Sequence, residues 1–198
     1  MRQSARGSPG RAMSSAHKKV IVRRFLGDTL PGYLPLSGFV RSRVSDKDRV
    51  VDLLDLSGRV AAIPLSEIKH ICYVRDFNLN DPANPERLTR RTFLARPRTE
   101  GLWLRMTFRG GDVFEGLAPT DVALLDDLVN DAGLQVTPPD TRSNTQRVYV
   151  PRTSLTELQL LAVITTPSRR KPLPAASVPS MQEDLFEKLI PPPNSRPN

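Results

Sequence analysis

The feature that most constrains this 198-residue chain is that its middle contains the same pattern twice. Residues 20–35 align with residues 104–119 at an offset of 84, and both copies place Gly-x4-Gly after an apolar run, at Gly27 and Gly32 and again at Gly111 and Gly116. Residues 63–74 align with residues 150–163 at an offset of 87, so that Pro64, Ile68 and Ile71 match Pro151, Leu155 and Leu158. A recurring segment of this length is one supersecondary unit used twice, and any fold assigned to the chain must accommodate both copies.

The patterning within each copy predicts strands. Leu102, Leu104, Met106 and Phe108 alternate with Trp103, Arg105, Thr107 and Arg109, the period of a strand with one buried face. Gly110, Gly111 and Asp112 then supply a tight turn, and Val113 to Glu115 begin the return strand. Gly116 is expected at a bend or bulge. In the first copy Val51, Leu53 and Leu54 run into the turn Asp55-Leu56-Ser57-Gly58, and residues 59–63 return. Pro64 and Pro151 each close a strand, and one helical or 3₁₀ turn throws the chain into a last apolar strand, residues 68–74 or 155–164. Leu124, Leu125, Leu128 and Val129, with Asp126, Asp127 and Asp131 beside them, predict an amphipathic helix in the second copy only.

Divided along the chain, the formal charge of +8 belongs mostly to the ends. Residues 1–19 carry five bases and no acid, residues 165–198 carry +2, and residues 20–164 carry only +1. The first segment reads as a disordered basic arm; the last, with 8 of the 19 prolines, reads as an extended tail. The expected organisation is an arm at 1–19, a first small β-barrel at 20–80, an arginine-rich connector at 81–101, a second barrel at 102–164 and a proline-rich tail at 165–198.

Five short bent strands with a one-turn helix before the last describe an SH3-like or Sm-like barrel, and Gly-x4-Gly after an alternating strand resembles the first half of the Sm-like signature. The fold class expected is therefore mainly β, with tandem duplicated small barrels, short helical turns and disordered tails. Neither copy carries the Asp-x-x-Met-Asn or Arg-Gly stretches of the RNA-binding members, so the resemblance covers shape. Residues 74–77, 90–103, 111–116 and 138–151 resemble an uncharacterised family of acidobacterial and deltaproteobacterial proteins, a likeness that spans nearly all of 20–164 and brings no catalytic residues with it.

The chemistry-bearing residues are sparse. One cysteine, Cys72, excludes an internal disulfide, and His17 and His70 with it do not make a zinc cluster. No nucleophile stands beside a base, so neither an enzyme nor a cofactor is expected. Ser66, Glu67, Lys69 and His70 read as a solvated surface turn, and Cys72 as a buried hydrophobe. Arg87, Arg90, Arg91, Arg96 and Arg98 in the connector form the candidate ligand site: they suit ion pairs between the halves, a partner's acidic surface, or a phosphate. Arg87-x3-Arg91 also matches the arginine half of the PilZ signature for cyclic dinucleotides, without its other half. In the tail, Ser180 to Glu183 has the form of a capping box ahead of Leu185, Phe186, Leu189 and Ile190, an apolar edge suited to a partner's groove or to the chain's own barrel.

No apolar run reaches the ~18 residues needed to span a bilayer, so a soluble cytoplasmic protein without membrane contact is expected. The function expected is a non-enzymatic binding or scaffold module with a protein partner. Nucleic-acid binding through the barrel surface and basic arm is the alternative.

Overall fold

The computed structural model describes residues 17–42, 49–130, 132–140 and 142–165, all within the compact unit that ends at Thr166. The proline-rich tail, with Leu185, Phe186, Leu189 and Ile190, and the arm up to residue 16 lie outside the described residues. The chain is mainly β. In order it forms β1 (Lys18–Arg24), β2 (Thr29–Leu34), β3 (Val40–Ser42), β4 (Arg49–Asp55), β5 (Val60–Pro64), β6 (Ile68–Val74), β7 (Gly101–Phe108), β8 (Val113–Ala118), α1 (Val122–Val129), β9 (Gly133–Val136), β10 (Thr145–Pro151) and β11 (Leu155–Ile164).

The local chemistry explains most of these boundaries. Asp55 closes the β4–β5 hairpin: its Oδ1 accepts from the Ser57 and Arg59 amides at 2.8 Å each, and Gly58 takes the positive φ of 81° the turn demands. Pro64 and Pro151 end β5 and β10, and each is followed by a 3₁₀ turn, Leu65–Glu67 and Arg152–Ser154. Helix α1 occupies the predicted place; among its acids Asp127 is buried and accepts the Gln135 amide at 3.2 Å.

Strand β1 lies between β2 and β6, and β7 lies between β8 and β11, all antiparallel. The registers coincide under the sequence offsets. Val20 opposes Gly32 and Tyr73; Leu104 opposes Gly116 and Leu160. The register shift beside Arg24 in the first set has its counterpart beside Leu155 in the second. The hairpin bonds Arg24 N to Asp28 O (3.1 Å) and Phe108 N to Asp112 O (2.9 Å) also correspond.

Gly116 is not a bulge, since pairing runs through it without a shift. It is a glycine because a Cβ there would stand 2.7 Å from the Cβ of Val136, just as one on Gly32 would stand 2.7 Å from Leu53 and 2.6 Å from the Leu54 carbonyl oxygen. These close approaches mark where β4 crosses β2 and where β9 crosses β8, at Tyr33 opposite Leu54 and Leu117 opposite Thr137.

The two sets are joined by backbone pairing. β10 pairs antiparallel with β6, Tyr149 opposite Ile71 and Arg147 opposite Tyr73. The sheet curls so that its two faces serve two cores. Ile71, Tyr73 and Tyr149 join Val20, Val22, Leu34 and Leu53 on one side; Cys72, Val74, Val148 and Val150 join Leu104, Met106, Phe114 and Val136 on the other. Following neighbours, the strands run β5-β4-β2-β1-β6-β10-β9, and through the Leu117–Thr137 bridge on to β8-β7-β11. The aromatics form separate pairs: Phe93 stacks edge-on against Trp103 at 5.9 Å, and Phe77 against Tyr33 at 5.4 Å.

Candidate functional site

The connector between the two sets is pinned at two buried carboxylates. Glu86 receives Arg23 bidentately, Nε to Oε1 at 2.6 Å and Nη2 to Oε2 at 2.9 Å, while its own carbonyl accepts the Thr145 hydroxyl at 2.7 Å. Burial opposes ionisation of the Glu86 carboxyl, but the bidentate Arg23 guanidinium outweighs it and holds it at about 2. Glu115, on β8, accepts Arg105 at 2.8 and 3.0 Å, the Trp103 indole at 3.2 Å and the Phe93 amide at 3.0 Å. Here too burial works against the charge, and these donors, with the Phe93 amide foremost, keep the carboxyl below its ordinary value.

The five connector arginines do not converge. All are exposed. Arg87, in the left-handed region at φ 51°, lines a shallow depression with Arg75, Arg142 and Asn144. Arg90, Arg96 and Arg98 line a cleft of about 250 Å³ with Leu117, Pro138 and Pro139. Arg91 turns away from them and bonds Asp112 at 3.2 Å, where Lys69 also pairs. The connector is thus bound by the Arg23–Glu86 and Arg91–Asp112 ion pairs and by Glu115, which Arg105 holds in place. Sequence reasoning missed Arg23 and Arg105, and the available signal was a guanidinium on β1 immediately after the apolar Val20-Ile21-Val22.

His70 is likewise not on the surface. It is buried against Phe108, at a ring separation of 5.9 Å, and its Nε2 lies 4.0 Å from Glu86, outside hydrogen-bond distance. Burial pushes its pKa down, against the pull of Glu86, so the ring is neutral at pH 7. With Arg23, Asn84, Leu88 and Arg91 it lines a cleft of about 280 Å³. Cys72 is buried as expected, and burial raises its thiol pKa far out of the reactive range. Among the described residues no three His, Cys, Asp or Glu side chains gather as metal ligands. No described helix is long and apolar enough to cross a membrane.

Two strands at the ends of the strand path are open on one side among the described residues. β5 pairs only with β4, and β11 only with β7, among the described residues. Both carry exposed apolar side chains: Leu158, Leu160 and Val163 on β11 and Val60 on β5. Ten-residue β11 is long for an unprotected edge.

Residues 16–162 match the model of a family of unknown function, DUF6982. The chain belongs to that family. The DUF6982 match runs through both strand sets and the connector that joins them. No curated protein matches the chain, and no solved structure does.

Proposed function

We propose that the domain is a duplicated small barrel of SH3-like or Sm-like kind, working as a non-enzymatic binding or scaffold module that engages proteins along its sheet edges. The duplication reading rests on the coincident registers, turns and close glycine contacts of the two strand sets. The observation that carries the functional reading is the division of labour between polar and apolar groups. The buried charges Glu86 and Glu115 are spent on holding the connector, and the buried thiol is suppressed, whereas β5 and β11 offer apolar side chains and, among the described residues, unpaired backbone. Strand addition at such an edge supplies main-chain hydrogen bonds for affinity and alternate side chains for selectivity.

The test is crosslinking capture from native cells with the full chain beside a Leu158→Glu, Leu160→Glu variant. A protein retained by the first and lost from the second supports the reading. Equal capture by both removes the edge from the argument.

A second reading is a phosphate-bearing ligand in the cleft of Arg90, Arg96 and Arg98, favoured by three arginines lining one depression. Calorimetric titration with inorganic phosphate and with a cyclic dinucleotide tests it. Binding that disappears in Arg96→Ala, Arg98→Ala would move the function there.

A further inference from the structure

We propose that a basic groove across the seam of the two strand sets binds an acidic segment of a partner protein, one that carries an apolar residue among its carboxylates. The groove is separate from the sheet edges and from the cleft of Arg90, Arg96 and Arg98, so the inference goes beyond both readings above.

Charge is unevenly spread over the domain. A depression of about 550 Å³ lies over the start of β1 and the junction of β6 with β10, and the shallow one at Arg87 adjoins it through Arg75. Lys18, Lys19, Arg75, Arg87, Arg142 and Arg147 line the two, against one acid, Asp76. Residues 20–164 together carry only +1, so the surplus belongs to this face. Asp76 pairs with Lys19 at 3.1 Å and answers one of the six charges. A concave surface of one sign focuses the field and draws partners of the other sign.

The fold sets these cations side by side. Lys18 stands on β1, Arg75 directly after β6 and Arg147 on β10, and these three strands are neighbours. Strands lie about 4.8 Å apart and an extended peptide advances about 3.3 Å per residue, so a segment crossing the groove meets a cation every one or two residues. Arg147 Nη1 donates to Gln135 Oε1 at 3.4 Å, and the Gln135 side-chain amide donates in turn to the Leu36 carbonyl. The Asp76 amide donates to Asn144 Oδ1 at 2.9 Å, and Asn144 Nδ2 donates to the Asp76 carbonyl at 2.7 Å, which holds the turn of Arg75 against the loop of Arg142. A rim fixed in advance gives up little side-chain freedom on binding.

The lining chooses among anionic partners. Leu36, Tyr73 and Val74 place apolar groups beneath the cations of the larger depression. A flat bilayer surface does not enter such a depression. Single-stranded nucleic acid binds by stacking its bases on open ring faces. Here Tyr33 stands edge-on to Phe77 at 5.4 Å, and Tyr73 is 3% exposed, with its hydroxyl donating to the Pro35 carbonyl at 2.8 Å. An acidic peptide uses what is present: carboxylates meet the rim and an apolar side chain meets the floor.

The experiment follows the fluorescence anisotropy of a labelled oligoglutamate with one central leucine as the full chain is added, beside an oligouridylate of equal charge. The peptide should bind, more weakly as salt rises and more weakly with alanine in place of its leucine. Lys18→Glu with Arg147→Glu should lower the affinity roughly tenfold or more while the circular dichroism spectrum stays unchanged. Should the change at Arg147 disturb the seam, Lys18→Glu with Arg142→Glu reads the same face. Arg2→Gln, Arg6→Gln, Arg11→Gln should keep most of the binding, which separates the groove from the basic arm. No binding of the peptide, equal affinity in the charge-reversed variants, equal affinity for the alanine peptide, loss of binding in the arm variant alone, or tighter binding of the oligouridylate each overturns the inference. The Leu158→Glu, Leu160→Glu variant should bind the peptide as the wild type does, so the edge reading and this one fail separately.

Discussion

Arg23 and Glu86 bond through both guanidinium and carboxylate edges, 2.6 and 2.9 Å, and this pair ties the first strand to a loop 63 residues further along the chain. A second bond from the same guanidinium, Nη2 to the Ala83 carbonyl at 3.0 Å, fixes the backbone beside it. The charge pair is therefore a clasp on the connector.

Removing one partner of a buried ion pair strands the other, which costs roughly 3 kcal/mol or more. Glu86→Gln should lower the unfolding free energy by about that amount in chemical denaturation. Arg90→Ala with Arg91→Ala removes exposed groups, of which only Arg91 has an ion-pair partner, so the change should stay under about 1 kcal/mol. The opposite ranking would return the clasp to the connector arginines.

Acid should weaken the fold in two stages. His70 has a lowered folded pKa, so the unfolded chain takes up its proton first and stability begins to fall as pH drops through about 6.5. Glu86 has a folded value of about 2 against an ordinary 4.5, so its contribution is complete above 4.5 and is lost between there and 2. Melting temperature against pH should show both stages. His70→Phe should flatten the first, and Glu86→Gln the second.

Gly32 and Gly116 should behave as a matched pair. An added methyl meets Leu53 and the Leu54 carbonyl in one case and Val136 in the other, at 2.6–2.7 Å. Neither backbone nor a branched core side chain yields cheaply, so Gly32→Ala and Gly116→Ala should each cost ~1–3 kcal/mol in thermal or urea unfolding. Gly38→Ala has open space around its Cβ and a positive φ of 69°, so it should cost only the backbone term, about 1 kcal/mol.

These glycines show what was legible in the sequence. The two prolines and the alternating β7 pattern are local signals, and each specified its turn or strand directly, whereas Gly-x4-Gly marked the repeat but not the close strand approach at Gly116. The interleaving of the two sets was not legible, because β10 pairs with β6 across a long stretch of chain and no local pattern encodes a partner strand. What pins the connector was not legible for a related reason. Exposed arginines are conspicuous in a sequence, whereas the groups that hold the loop, Glu86 and Glu115, are single residues made important by burial. Burial of a lone acid has no sequence period.

Glu115 offers the most direct check on that last point. Its carboxylate accepts the Phe93 amide on one oxygen and Arg105 on the other, and its own amide donates to the Arg91 carbonyl at 2.7 Å, so one β8 residue holds the connector by side chain and backbone together. Glu115→Ala keeps the backbone bond and deletes the side-chain ones, leaving the Trp103 indole and Arg105 without their acceptor. The stretch from Leu88 to Phe93 should then open locally, in advance of the sheets. Trypsin should cut the variant faster after Arg90 and Arg91 while the circular dichroism spectrum stays that of the folded protein, and hydrogen exchange should rise at Phe93 but not in β7. If cleavage quickens only in step with global unfolding, the connector has no local stability of its own, and Glu115 belongs to the β7–β8 sheet alone.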